Sequence, residues 1–115
     1  MEQPRVYPNE CVHRIIAFIP EDHMHVRFVV ELSDQTIVLH EAVVAALVRA
    51  YALVATHPVR RAVELESCRL GRGERKPGYA EWQLLETSRS EEEVREEAQR
   101  LWARGVIVEC RSRSE

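Results

Sequence analysis

The sequence predicts a two-layer α+β domain: a mixed, mostly antiparallel sheet in the order β-β-β-α-β-β-α-β, with two helices on one face. Three observations carry that class. Two segments, residues 41–57 and one running from Ser88 or Ser90 to Gly105, have helical composition and end signals. Six short β-rich or alternating runs surround them, each bounded by Pro, Gly, Ser or Asp. Charged or polar residues alternate outward in several of those runs (Arg27, Glu31, Glu64, Glu66, Glu81, Gln83), as expected of a sheet with one solvated face.

Residues 1–10 hold Pro4, Pro8 and Asn9 without periodicity and read as an irregular arm. Residues 12–19 form a continuous β-rich run closed by Pro20, expected to be a strand buried on both faces. After the polar stretch 20–24, residues 26–32 alternate, with Val26, Phe28, Val30 and Leu32 on one side. Ser33-Asp34 before Thr36-Ile37-Val38 predicts a tight hairpin into a short strand; a helix capped by Asp34 is the competing reading.

Residues 41–57 form the clearest helix, rich in Ala and Leu and stopped by Pro58. His57 in its last turn would complement the helix dipole. Between positions 41 and 55 only Glu41, Arg49 and Tyr51 are polar-capable, so this helix needs cover on more than one side. Val43, Leu47, Ala50 and Val54 are expected to face the sheet, leaving Val44, Val48, Ala52 and Ala55 as an interface for a second copy.

Residues 61–70 and 79–86 predict two strands, with Val63, Leu65, Ala80, Trp82 and Leu84 facing in. Gly71, Gly73, Pro77 and Gly78 make the stretch between them a flexible hairpin loop. The second helix opens at Ser88 or Ser90, each three residues before a Glu, and stops at Gly105. Glu91/Arg95 and Glu96/Arg100 have the favourable four-residue spacing, and Val94, Ala98, Leu101 and Trp102 make one apolar stripe. Residues 106–110 are expected to be a last strand and 111–115 a frayed tail.

The 115 residues and 13.3 kDa suit one domain, with 45% apolar and 30% charged residues. The net charge of −3 gives no global pull toward nucleic acid or anionic lipid. No membrane partner is expected: the longest apolar stretch, residues 42–55, falls short of a span and contains Arg49. Met1-Glu2-Gln3-Pro4 lacks the basic-then-apolar pattern of a secretory signal. Three widely spaced cysteines, Cys11, Cys68 and Cys110, argue for reduced thiols and a cytoplasmic protein. Fifteen of the sixteen basic residues are Arg, compatible with a thermophilic source or a GC-rich genome and decisive for neither. A hyperthermophilic source would readmit an intracellular disulfide.

Chemistry-bearing patterns are sparse. Cys11/His13 and His23/His25 have ligand-type residues at strand spacing. Antiparallel pairing, however, sets position 13 opposite roughly position 31 and leaves His23 and His25 at the other end, so no metal site is expected. Ser33, Asp34 and His40 lack a nucleophile turn, and Gly71-Arg72-Gly73 joins two strands rather than a strand and a helix. No catalytic residue, cofactor or enzymatic activity is therefore assigned.

Two features point to binding. Arg69, Arg72, Arg75 and Lys76 against Glu74 give the 69–79 loop a local charge of +3, with Tyr79 at its edge to stack on a base. Arg60 and Arg61, roughly 30 Å away along an extended strand, do not join it. Residues 81–97 carry seven Glu against Arg89 and Arg95, a sign complementary to the loop. The first reading is a non-catalytic binding or scaffolding domain that self-associates, as a dimer, through the 41–57 helix. The alternative is an RNA- or DNA-binding module using Arg69, Arg72, Arg75, Lys76 and Tyr79.

Overall fold

The computed structural model describes residues 3–110. The α+β class and the expected order of strands and helices stand, with one short strand added ahead of them. Antiparallel pairing dominates beside one parallel ladder, and the described strands fall into three separate sheets instead of the single sheet expected. The expected frayed tail lies outside the described residues. Two compact units divide the chain: one takes in the chain up to Val44 together with the chain from Glu97 onward, the other Ala45–Glu96.

In the first unit the amino-terminal arm is more ordered than its composition implied, with strand β1 (Arg5–Val6) and a 3-10 turn (Asn9–Cys11). A three-stranded antiparallel sheet follows, in the order β2 (Val12–Phe18), β3 (Arg27–Leu32), β4 (Thr36–His40). The hairpin reading at Ser33-Asp34 holds: Leu32 N–H donates to the Gln35 carbonyl at 2.8 Å, closing a tight turn. Arg14 pairs with Glu31 across the β2–β3 ladder and a register shift sets His13 into a bulge, close to the expected pairing. The β2–β3 connection turns at Pro20–His23, where Asp22 takes the left-handed conformation that Asp tolerates better than most residues (φ 65°).

Strand β2 corrects one expectation. It is exposed rather than buried on both faces, with Ile15 64% accessible and Phe18 and Ile19 also open. A run of β-branched residues reports strand propensity; it does not report which surfaces find cover.

Strand β7 (Val106–Ile107) is shorter than the expected 106–110 and pairs in parallel with β1. Val106 N–H donates to the Pro4 carbonyl (2.8 Å) and Val108 N–H to the Val6 carbonyl (2.9 Å). Gly105 stands at the entry to this ladder because a Cβ there would lie 2.8 Å from Val6 Cγ2. The pairing brings the carboxyl-terminal segment beside the start of β2, where Cys11 and Cys110 form a disulfide with Cα atoms 5.6 Å apart. The expectation of three reduced cysteines is thus overturned for two of them; Cys68 alone keeps its thiol. An odd count at a separation of 99 residues gave no hint of this pairing.

Helix α1 (Glu41–Ala55) follows β4 directly. The Glu41 carboxylate accepts from Val26 N–H (3.0 Å) and lies 3.3 Å from His25 Nδ1, which ties the helix start to the entry of β3. The helix ends two residues before the expected His57. Thr56 N–H and its hydroxyl both donate to the Ala52 carbonyl, and His57 Nδ1 accepts from Val59 N–H instead of facing the helix end. Ala46 is the buried position, so the inward stripe runs Val43, Ala46, Ala50 and Val54. Leu47, expected to face the sheet, is exposed.

In the second unit β5 (Leu65–Arg69) and β6 (Trp82–Glu86) form an antiparallel hairpin. Arg49 of α1 donates through Nη2 to the Leu84 carbonyl at 2.6 Å, which places the one cation of that apolar helix on β6. Both strands are shorter than expected. Thr87 N–H donates to the Glu64 carbonyl and the ladder ends there, because Ser90 begins the cap of α2 (Glu91–Ala103). Ser90 Oγ accepts from Glu93 N–H (3.2 Å) and donates to the Glu93 carboxylate (3.1 Å), so Ser90 rather than Ser88 is the cap. Trp82 and Ala80, expected to face in, are exposed, Trp82 by 57%. On α2, Val94 is buried, Leu101 is half-buried, and Ala98 and Trp102 are exposed. Glu91 accepts from Arg61 N–H (3.2 Å).

Candidate nucleic-acid interface

The β5–β6 connection is built from two hydrogen-bonded turns. In the first, Glu74 N–H donates to the Gly71 carbonyl (3.0 Å) and the Glu74 carboxylate accepts from Gly71 N–H (3.0 Å). In the second, Tyr79 N–H donates to the Lys76 carbonyl at 3.0 Å. Pro77 and Gly78 occupy its corners, and Gly78 has φ +84°, the conformation a type II turn demands at that position. The Lys-Pro-Gly-Tyr sequence thereby brings the ends of the turn together. Lys76 Nζ lies 5.8 Å from the centroid of the Tyr79 ring, a cation–π distance.

Arg72, Arg75, Lys76, Pro77, Gly78 and Tyr79 line one concave pocket of about 440 Å³. Arg75 is half-buried in its wall and Tyr79 is 59% exposed. Among the described residues, none of Arg72, Arg75 and Lys76 makes an ion pair with a carboxylate. Arg69 does not belong with them. Its Nε lies 2.5 Å from the Glu81 carboxylate, a cross-strand pair beside the Leu70–Glu81 backbone bond. The structure therefore brings four of the five sequence-selected residues together and spends the fifth on the hairpin.

Arg60 stands at the other end of the hairpin. It donates to Glu86 (2.7 Å) and lies 3.9 Å from Glu91, and the Glu86 hydrogen bond, outweighing the opposing effect of desolvation, raises the pKa of its guanidinium. Glu64 is likewise engaged, accepting from the Thr87 hydroxyl (2.7 Å) and Arg89 (2.9 Å).

A second depression, of about 580 Å³, opens in the first unit beside Arg5, His13, Asp34 and the 106–110 segment. Its polar groups are largely committed to one another. The Tyr7 hydroxyl accepts from Arg5 Nε (3.2 Å) and Gln35 Nε2 (3.0 Å) and donates to Asp34 (3.0 Å), while Arg5 and Asp34 form an ion pair. His13 Nε2 is buried there without a hydrogen-bond partner. Sequence reasoning missed this network, because its members lie 27 to 29 residues apart and only the β1–β7 pairing brings Arg5 into place.

The remaining candidates are scattered. Asp34 lies at the β3–β4 turn and His40 at the opposite end of that ladder, paired with Arg27. Cys11 is consumed by the disulfide, His23 Nδ1 lies 2.9 Å from the Glu21 carbonyl, and His25 contacts Glu41. Among the described residues no group of three His, Cys, Asp or Glu side chains is placed to hold a metal ion, and no helix is long and apolar enough to cross a membrane. Of the expected self-association face on α1, Val48, Ala52 and Ala55 are exposed and Val44 is half-buried. No protein-family model, curated protein or solved structure matches the chain.

Proposed function

We propose that this chain is a small non-catalytic binding module whose ligand is nucleic acid, RNA or DNA, held at the β5–β6 loop. One observation supports this above the others: two defined turns gather three cations without carboxylate partners and one exposed aromatic around a single concave pocket. Guanidinium forks match phosphate oxygens, and the ring offers a stacking surface for a base. The proposal includes cytoplasmic residence, which requires a cytoplasm permissive for the Cys11–Cys110 bond, as in hyperthermophiles. Titration of a labelled mixed-sequence RNA at low salt tests it. Binding that disappears in the triple variant Arg72→Ala/Arg75→Ala/Lys76→Ala supports the reading, and binding unaffected by that variant refutes it.

A second reading, self-association as a dimer through α1, is favoured by its outward stripe, where Val48 is 61% and Tyr51 73% exposed beside Ala52 and Ala55. Small residues between larger apolar ones allow close helix approach, and a two-fold dimer is the commonest way to cover such a face. Light scattering at micromolar concentration is expected to show a dimer that Val48→Glu dissociates into folded monomers. A wild-type monomer at every concentration rejects this reading.

A further inference from the structure

We infer that the loop pocket selects single strands over duplex, with one unpaired base against Tyr79 and the neighbouring phosphates on Arg72, Arg75 and Lys76; this rests on the nucleic-acid reading above. Duplex bases are stacked on both faces and present only their edges, so an aromatic ring gains a stacking partner only from a base that has left the helix. In this pocket the ring is the exposed apolar element and the cations share its wall. The Lys76–Tyr79 turn fixes the relation between the two kinds of contact. The ammonium lies over one face of the ring, so the base takes the opposite face while Lys76 remains beside the ring to meet a phosphate. The loop presents neither a helix nor a two-stranded ribbon long enough to fill a major groove, since β5 ends at Arg69, β6 begins at Trp82 and the turns between them are short.

The test compares a labelled single-stranded RNA of about 12 nucleotides with the same RNA annealed to its complement, by fluorescence anisotropy on the full chain. Three phosphate contacts on a single strand predict a log–log salt slope near −2, so affinity falls about 40-fold between roughly 50 and 300 mM salt. Tyr79→Leu is expected to weaken single-strand binding at least about fivefold with the salt slope unchanged, because stacking carries no counterion release. Tyr79 is exposed, so this variant keeps the fold. Equal affinity for strand and duplex, with Tyr79→Leu neutral, overturns the single-strand inference and leaves the nucleic-acid reading standing. Absence of binding to either RNA at low salt overturns both.

Discussion

Reducing the Cys11–Cys110 bond is the most informative perturbation of the fold. The bond joins residues 99 apart, so in the unfolded chain it closes nearly the whole sequence into one loop. The chain-entropy relation gives about 4.7 kcal/mol for a loop of that length. The contacts that would otherwise hold the same segment are slight: two paired positions in the β1–β7 ladder, with the Val106 and Val108 amide bonds at 2.8 and 2.9 Å. A two-stranded ladder of that size is not stable by itself in water. Urea unfolding of the oxidised chain and of Cys11→Ala/Cys110→Ala should therefore differ widely. With m near 2 kcal/mol/M, typical of small proteins, the midpoint falls by roughly 2 M. Hydrogen exchange supplies the local readout, since the Val106 and Val108 amides should lose protection before those of β3, which is paired on both sides. A thiol count of the native chain should find one reactive cysteine, Cys68. Three reactive thiols, or a midpoint that moves by less than the equivalent of about 1 kcal/mol, would refute the argument that this bond organises the first unit.

Two further outcomes follow from local geometry. Glu41 accepts from Val26 N–H, and that hydrogen bond, aided by His25 and Arg27 against partial desolvation, holds its carboxyl below the usual glutamate range. A depressed folded-state pKa stabilises the fold above the unfolded value of about 4.3 and loses that contribution as pH falls through the folded value. The stability gap between wild type and Glu41→Gln, measured by urea midpoint, should accordingly shrink on going from about pH 6 to about pH 3, and a gap independent of pH would contradict the assignment. Ser90→Ala removes the acceptor for Glu93 N–H and is expected to cost about 1 kcal/mol, with Ser90→Asp restoring most of it; circular dichroism during thermal unfolding reads both.

How far the sequence disclosed this structure depended on whether the signal was local. The Ser33-Asp34 turn and the start of α2 at Ser88 or Ser90 are each set by a few adjacent residues and can be read without knowledge of the remainder of the chain. The equally local Lys76–Tyr79 turn, by contrast, lay inside a stretch whose glycines and proline read only as a flexible loop. Strand lengths were less legible because a ladder ends where its partner leaves. Residues 61–64 have strand composition, yet the chain opposite them turns at Thr87 toward the Ser90 cap, and the ladder closes at Glu64. The cysteine pairing was illegible for a related reason: it depends on a two-residue parallel ladder between the ends of the described chain.

Exposure exposes a deeper limit. Ile15, Trp82 and Trp102 occupy positions whose alternation or spacing matches that of core residues, and all three are open to solvent. Periodicity reports that a face is apolar; it does not report whether its cover comes from the same chain. The charged loop shows the converse. Its composition counted four cations, but the β5–β6 register sets Leu70 against Glu81, so the neighbouring Arg69 meets a carboxylate and leaves the set. What remains, Arg72, Arg75 and Lys76 around Tyr79, is smaller than the charge count implied. It is also better defined, because the two turns order a flexible-looking stretch and set Lys76 over the Tyr79 ring, with Arg72 and Arg75 lining the same pocket. The proposed nucleic-acid site would depend on that arrangement more than on net charge, since undirected charge attracts any polyanion and selects none.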